Sequence, residues 1–227
     1  MKKVFTSVLA AALLLMGTQA YAQLSVGAGY LNSQETTKIT NNNDPSKADL
    51  NGFYAGINYN IPIVAGLGIA PGFYVDMLVG KGNGSIGNQT LGASVTEKYT
   101  EVALNVPLNL NYNFNLGRDV SLFVYAGPVF QYGVHSESKF EGTISANIFG
   151  VNLNRTENYK YNHYKGNDDL KADRKPFNIY MGGGVGLQVA DAFQVIVGYD
   201  HSLMNFSAVD DTKTSRSQIK VGVGFSF

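Results

Sequence analysis

Four charged residues interrupt stretches in which apolar and polar residues alternate: Asp76, Glu101, Asp200 and Lys220. Alternating side chains point to opposite faces of a β-strand, and all four charges lie on the polar face of their stretch. If the strands enclose a common interior, the charges form either a gated polar conduit or an ion-pair network that fills the bore. A narrow interior favours the network, in which Lys220 pairs with Asp200 and one of the other carboxylates lies nearby.

Two histidine–serine pairs, His201-Ser202 and His135-Ser136, raise the question of hydrolytic chemistry. Adjacent residues of a strand point to opposite faces, so neither pair can join a base to a nucleophile unless its strand has already ended. The three histidines show no metal-ligand spacing, and the chain contains no cysteine. The sequence therefore predicts no catalytic residue, no metal site and no cofactor.

A long polar segment, 135–175, carries aromatic and basic residues close together: Arg155, Tyr159, Tyr161, His163 and Tyr164. Tyrosine beside basic groups suits contact with carbohydrate, lipopolysaccharide phosphate or protein. The same composition suits the solvated tip of a hairpin, and the sequence leaves both interpretations open.

Eight segments with a side-chain period of two position these residues. They span 23–33, 50–61, 67–80, 97–114, 120–134, 176–190, 192–206 and 216–227. In the third segment Phe73, Val75 and Met77 share one face, whereas Tyr74 and Asp76 share the other. Each segment splits in this way, which predicts an all-β fold, a closed antiparallel transmembrane β-barrel of eight strands.

The connections alternate in length. Short ones fall near 61–66, 115–119 and 190–192, and long polar ones at 34–49, 81–96, 135–175 and 207–215. Short periplasmic turns and long outer loops are typical of outer-membrane barrels. A ten-stranded barrel is the alternative if 135–175 contains another spanning hairpin. Because 157–164 contains no aliphatic residue, we interpret 139–164 as a hairpin that extends the fifth and sixth strands above the membrane.

The N-terminal residues 1–22 have the pattern of a secretory signal. Lys2 and Lys3 precede an apolar run, and Ala20-Tyr21-Ala22 forms a cleavage site that leaves the barrel domain 23–227. Removing this signal leaves 15 basic against 17 acidic residues, a balance that does not favour nucleic acid. The 26 glycines and 27 tyrosines and phenylalanines suit closely packed strands with aromatic girdles.

With these features together, the chain resembles small outer-membrane β-barrel proteins. It is similar to the PorT-like outer membrane protein beta-barrel domain group, often called the porin family, and to barrels of the OmpA and OmpX type. Lys220, Gly222, Phe225 and Phe227 match the terminal assembly signal of such barrels.

This resemblance implies a monomer in the bacterial outer membrane. Its implied partners are outer-membrane lipid, lipopolysaccharide, the barrel-assembly machinery and periplasmic chaperones. The expected role is structural or a surface interaction through long extracellular loops, with side chains filling the lumen. The alternatives are a narrow porin-like channel for small solutes and a lipid-modifying enzyme.

Overall fold

The structure is a computed structural model. It describes residues 23–40, 44–87, 91–117, 119–148, 151–167 and 170–227. The predicted signal peptide, 1–22, lies outside these residues, so its cleavage stays a prediction. No helix in the described ranges is long and apolar enough to cross a membrane.

In the described part of the chain, nine antiparallel strands form one sheet. Their bounds are β1 Gln23–Ile39, β2 Ser46–Val64, β3 Leu67–Gly87, β4 Leu91–Asn115, β5 Val120–Ile148, β6 Val151–Asn162, β7 Phe177–Val189, β8 Phe193–Ser202 and β9 Thr212–Ser226. Eight of them close into a ring in the order β1-β2-β3-β4-β5-β7-β8-β9, because β9 pairs with β1 and β4 pairs with β5. The predicted all-β class and the eight-stranded ring are therefore confirmed, in place of the ten-stranded alternative.

The ninth strand, β6, lies outside the ring. It pairs with the outer part of β5, from Glu137↔Asn162 to Ile148↔Val151, whereas β7 pairs with the inner part of β5. The predicted hairpin therefore exists. Its first strand continues β5, as predicted, whereas its second strand, β6, does not continue into β7. Residues 163–167 and 170–176, which we call the outer strap, lie between β6 and β7 in the chain.

The strands extend much further at the outer end than the sequence predicted. Segments 34–49 and 81–96, predicted as long loops, are mostly strand: β1 continues to Ile39, and β3 and β4 remain paired as far as Gly87↔Gly92. Beyond the hydrocarbon the outward face meets water, so it no longer needs apolar residues. The alternation on which the prediction depended therefore ends before the strands do.

The faces of the ring are inverted relative to a soluble protein. Valine, isoleucine, leucine and phenylalanine cover the outward face, for example Phe73, Val197 and Val223. The largest fully buried side chains include Arg216, Gln131 and Glu101, all of which point into the lumen. An apolar exterior around a polar interior is the arrangement expected of strands that face lipid.

Aromatic side chains gather at both rims of the apolar band. At the end with the short turns, Phe225 packs edge-on against Phe193 and Phe227, with ring centroids 5.2 and 5.0 Å apart. At the opposite end, Tyr30 packs against Phe53 on β2. These positions match the interfacial girdles of membrane barrels.

We expect Val197→Arg to destabilise the folded barrel by about 2–4 kcal/mol, because Val197 lies in the middle of the apolar outward face of β8. Val209→Arg is the matched control: Val209 is equally exposed but lies in the outer connection between β8 and β9. Urea unfolding in lipid vesicles, followed by circular dichroism, measures both free energies. Equal tolerance of arginine at the two positions would contradict the assignment of the lipid face.

Candidate functional site

Three of the four predicted lumen charges meet at one level of the barrel. Lys220 Nζ on β9 lies 2.9 Å from Asp200 Oδ2 on β8 and 3.6 Å from Asp76 Oδ2 on β3. The Lys220 ammonium also lies 5.8 Å from the centre of the Tyr54 ring. We call Asp76, Asp200 and Lys220 the lower cluster. Glu101, the fourth predicted member, belongs to a separate cluster nearer the outer end.

Glycine on the neighbouring strands makes room for the lower cluster. A Cβ atom at Gly182 would lie 1.9 Å from Asp200 Oδ1, and one at Gly222 would lie 2.3 Å from the Tyr54 hydroxyl. Gly184 and Gly198 accommodate Tyr125 in the same way. The glycines of β7, β8 and β9 therefore form the surface against which Tyr54, Tyr125 and Asp200 pack.

The upper cluster contains two arginines and two glutamates. Arg216 on β9 is fully buried, and its Nη1 and Nη2 each donate to a Glu101 oxygen at 2.7 Å. Its Nε donates to Glu35 Oε1 at 3.0 Å. Arg174 of the outer strap donates to both Glu35 oxygens, at 2.6 and 2.8 Å. Two cations face two carboxylates, so the buried charge is balanced.

Aromatic rings enclose the upper cluster. The Arg216 guanidinium lies 4.6 Å from the centre of the Phe206 ring, and that of Arg174 lies 5.0 Å from the Tyr99 ring. The Tyr99 hydroxyl donates to Glu101, and Arg174 donates to that hydroxyl at 3.2 Å. Burial lowers the pKa of Arg174, but the Glu35 carboxylate, the Tyr99 hydroxyl and the hydrogen bond to Glu35 together raise it overall, so Arg174 stays charged.

Sequence reasoning missed three of the four charges in the upper cluster. Arg216 has the same parity as Gln218 and Lys220, so the alternation of β9 was a signal for its inward direction. Glu35 lies two residues beyond the predicted end of the first strand. Arg174 lies in the outer strap, where no strand period exists, so it gave no such signal.

The outer strap covers the mouth of the barrel above the upper cluster. Its backbone is bonded on both sides: Gly133 N donates to Pro176 O at 2.7 Å, and Lys175 N donates to Phe206 O at 2.8 Å. Ala208 N donates to Asp173 O at 2.9 Å. The strap therefore bridges β5 and the connection between β8 and β9.

A cavity of about 110 Å³ lies in the lumen below these clusters. Asp200 and Lys220 contribute to its lining, which is otherwise rich in amides: Gln23, Asn58, Asn60, Asn105, Asn109, Asn111, Asn113, Gln188 and Gln194. The polar cavity thus occupies the periplasmic half of the lumen, whereas packed ion pairs and rings such as Tyr180 and Phe206 occupy the outer half.

The five residues predicted for loop binding do not share one exposed surface. Arg155 is exposed and pairs with Glu157 at 2.8 Å, and Tyr159 is also exposed. Tyr161 is buried and donates to Lys171 O at 2.5 Å, and His163 is buried as well. Tyr164 packs over Gly133, where a Cβ would lie 2.0 Å from its hydroxyl.

The two histidine–serine pairs lie as strand geometry requires. His201 is exposed and contacts Ser217 Oγ at 2.9 Å, while Ser202 is buried and accepts from Arg216 N. β5 continues far beyond His135, so Ser136 points inward, where it contacts the Tyr99 hydroxyl at 2.9 Å.

A third combination, which sequence reasoning missed, joins Ser138, His163 and Asp173. Ser138 Oγ lies 2.8 Å from His163 Nε2, and His163 Nδ1 lies 2.9 Å from Asp173 Oδ1, the order of groups in a hydrolase triad. However, Ser138 is fully buried, and its hydroxyl donates to Glu97 Oε1 at 2.6 Å. The proton that a histidine base must remove is therefore directed to a carboxylate, and the arrangement ties the strap to β5.

Among the described residues no three histidine, aspartate or glutamate side chains are placed to hold a metal ion.

We expect Lys220→Met to destabilise the barrel by about 3–5 kcal/mol, because it leaves Asp76 and Asp200 buried without their cation. Adding Asp76→Asn and Asp200→Asn should restore most of the loss. Lys213→Met, an exposed lysine on the same strand, is the control. Unfolding free energies in lipid vesicles test the expectation, which fails if Lys220→Met is as stable as Lys213→Met.

Three barrels of known structure are similar to this chain at low identity. Ail, the attachment invasion locus protein of Yersinia pestis, is 16% identical with a TM-score of 0.37, over 91% of this chain and 99% of that one. Neisserial surface protein A is 12% identical with a TM-score of 0.38, over 90% and 97%. The N-terminal barrel domain of Pseudomonas aeruginosa OprF is 13% identical with a TM-score of 0.30, over 88% and 99%.

No curated protein matches the sequence. The family model described as "Outer membrane protein beta-barrel domain" matches residues 8–227, nearly the whole chain. Together with the eight-stranded ring, the apolar outward face and the charged lumen, this match shows that the chain belongs to the outer membrane protein beta-barrel domain family and is a protein of the bacterial outer membrane.

Proposed function

We propose that this protein is a sealed, non-enzymatic barrel that holds a projecting sheet at the cell surface for interaction with an extended segment of another polypeptide. The outer parts of β3, β4 and β5, together with β6, form this sheet beyond the ring. We call it the projecting sheet. The observation that carries the proposal is the position of β6 at its edge.

β6 offers a free edge to other chains. Among the described residues it pairs with β5 and with no other strand, and its residues from Asn154 to Lys160 are exposed. An exposed strand edge carries unpaired backbone donors and acceptors, to which an extended peptide adds as a further strand. The alternating side chains Arg155, Glu157 and Tyr159 would then contribute selectivity.

The packed outer lumen supports a sealed barrel over a porin-like channel. An eight-stranded ring has an interior just wide enough for side chains to fill it. Here the upper cluster, the rings around it and the outer strap occupy that width, and Leu31, Tyr180 and Phe206 are almost completely buried there.

For the sealed lumen we expect no steady ion current from the purified barrel in planar lipid bilayers. The upper cluster is balanced in charge and closely packed, so ions have no hydrated route through the outer half. Sustained open-channel conductance from the wild-type protein would favour the porin-like alternative.

For the free edge, p-benzoylphenylalanine placed at Thr156 on β6 should cross-link a protein partner on intact cells. The same residue at Val209 is the control, because Val209 is exposed at the outer end but lies in the connection between β8 and β9 and not on the edge strand. The purified barrel should then bind a peptide from that partner, and a variant in which 141–158 is replaced by Asn-Gly should not. Equal cross-linking at both positions, or peptide binding by the shortened variant, would contradict the proposal.

A further inference from the structure

Four lysines stand directly opposite one another across the projecting sheet. The register pairs Lys81 of β3 with Lys98 of β4, Lys98 with Lys139 of β5, and Lys139 with Lys160 of β6. All four are exposed. We call them the lysine row; with a strand spacing of about 4.8 Å, it is roughly 14 Å long.

The row lies on the outward face, the face that meets lipid further down the barrel. The chain neighbours of its members are buried and point to the other side: Tyr99 beside Lys98, Ser138 beside Lys139, and Tyr161 beside Lys160. On β3, Lys81 shares the outward face with Met77 and Val79, both of which are exposed.

Three consecutive lysine pairs are unfavourable unless an anion is present. Like charges directly opposite each other on neighbouring strands destabilise a sheet. On the same face, Glu137 lies 3.6 Å from Lys139, and Glu141 follows two residues later on β5. On β3 and β4 the adjacent outward positions are uncharged: Val79, Asn83, Thr96 and Thr100. On β5, however, Glu137 and Glu141 lie diagonal to Lys98, and the exposed Asp49 of β2 lies beside Gly80, the residue before Lys81. Four lysines against these three carboxylates leave the row with a net positive charge, and its β3–β4 end carries Lys81 and Lys98.

That end of the row is also the end nearest the membrane. Lys81 directly follows the apolar residue Val79 on the outward face of β3, and on β4 only Thr100 separates Lys98 from Val102. A lysine at this height extends its ammonium into the headgroup layer while its stem lies along apolar surface. Since barrel strands are tilted by about 35–45°, a row perpendicular to them climbs roughly 9 Å across the headgroup region.

We propose that the lysine row binds the phosphate groups of lipopolysaccharide in the outer leaflet. The position just above the apolar band selects a membrane lipid over a soluble anion. The inclined row suits a glycolipid whose anionic groups extend outward from the hydrocarbon boundary. This site lies on the outward face of the projecting sheet and does not depend on the free edge of β6.

The chain provides a matched comparison in Lys38 and Lys213. These lysines are also exposed and directly opposite each other, on β1 and β9. On β1, however, Asn32, Gln34 and Thr36 separate Lys38 from Tyr30, the last aromatic residue of the outward face. Two double variants therefore remove equal charge from equivalent pairs of lysines at different distances from the lipid: Lys81→Gln/Lys98→Gln and Lys38→Gln/Lys213→Gln.

The test is titration of the folded, immobilised barrel in non-ionic detergent with purified lipopolysaccharide and with its dephosphorylated form. A lysine near an anionic membrane surface contributes about a fivefold change in affinity, so Lys81→Gln/Lys98→Gln should weaken binding of the phosphorylated form by about 25-fold. Lys38→Gln/Lys213→Gln should change it by less than about twofold, and Lys81→Arg/Lys98→Arg should retain binding, because the charge is kept.

Folding of each variant is checked by its heat-dependent gel mobility, and the arginine variant shows that the positions tolerate substitution. Wild-type affinity in Lys81→Gln/Lys98→Gln would overturn the proposal, as would an equal loss for phosphorylated and dephosphorylated lipid. Displacement of lipopolysaccharide by millimolar inorganic pyrophosphate would identify a site for free anions and would also overturn the assignment to lipid.

Discussion

Hydrocarbon offers no hydrogen-bond partner to a backbone amide, and this constraint determines most of the structure. Strands that cross a membrane must satisfy their backbone groups in one another, so the sheet has to close. Here closure depends on the pairing of the first and last strands, which runs from Ser25↔Ser226 to Ile39↔Thr212. Once the ring is closed, every spanning strand has one face in lipid and one in a narrow lumen, and the choice of side chains follows from that division.

The lumen shows how such a narrow interior tolerates charge. Arg216 is fully buried, which would be strongly unfavourable without partners, but Glu35 and Glu101 bind it from two other strands. Lys220 is placed similarly between Asp76 and Asp200. Because Lys220–Asp76 joins β9 to β3 and Arg216–Glu101 joins β9 to β4, these ion pairs also hold the barrel wall together across its bore.

The sequence predicted the parts of the strands that face lipid, and it missed the parts of the structure that lie beyond the membrane in water. Alternation was clear wherever one face meets hydrocarbon, so the eight strands and the inward direction of Asp76 and Lys220 followed from it. Glu35 and the outer halves of β3 and β4 lie beyond the apolar band, where both faces carry polar residues and the period disappears. Arg174 and Asp173 reach their partners through the outer strap, a tertiary arrangement that no periodic pattern encodes.

The projecting sheet has two different surfaces, the lysine row and the free edge of β6, and their positions allow both to bind at the same time. Its lysine row begins beside Val79, at the edge of the apolar band, and ends at Lys160 on β6. Contact between Lys81, Lys98 and the headgroups would hold the β3 side of the sheet at the membrane surface. Because the row climbs away from the lipid toward β6, the same contact would place the free edge of β6 farthest from the headgroups. Lipid binding at one side of the sheet would therefore leave the other side open to an extended polypeptide.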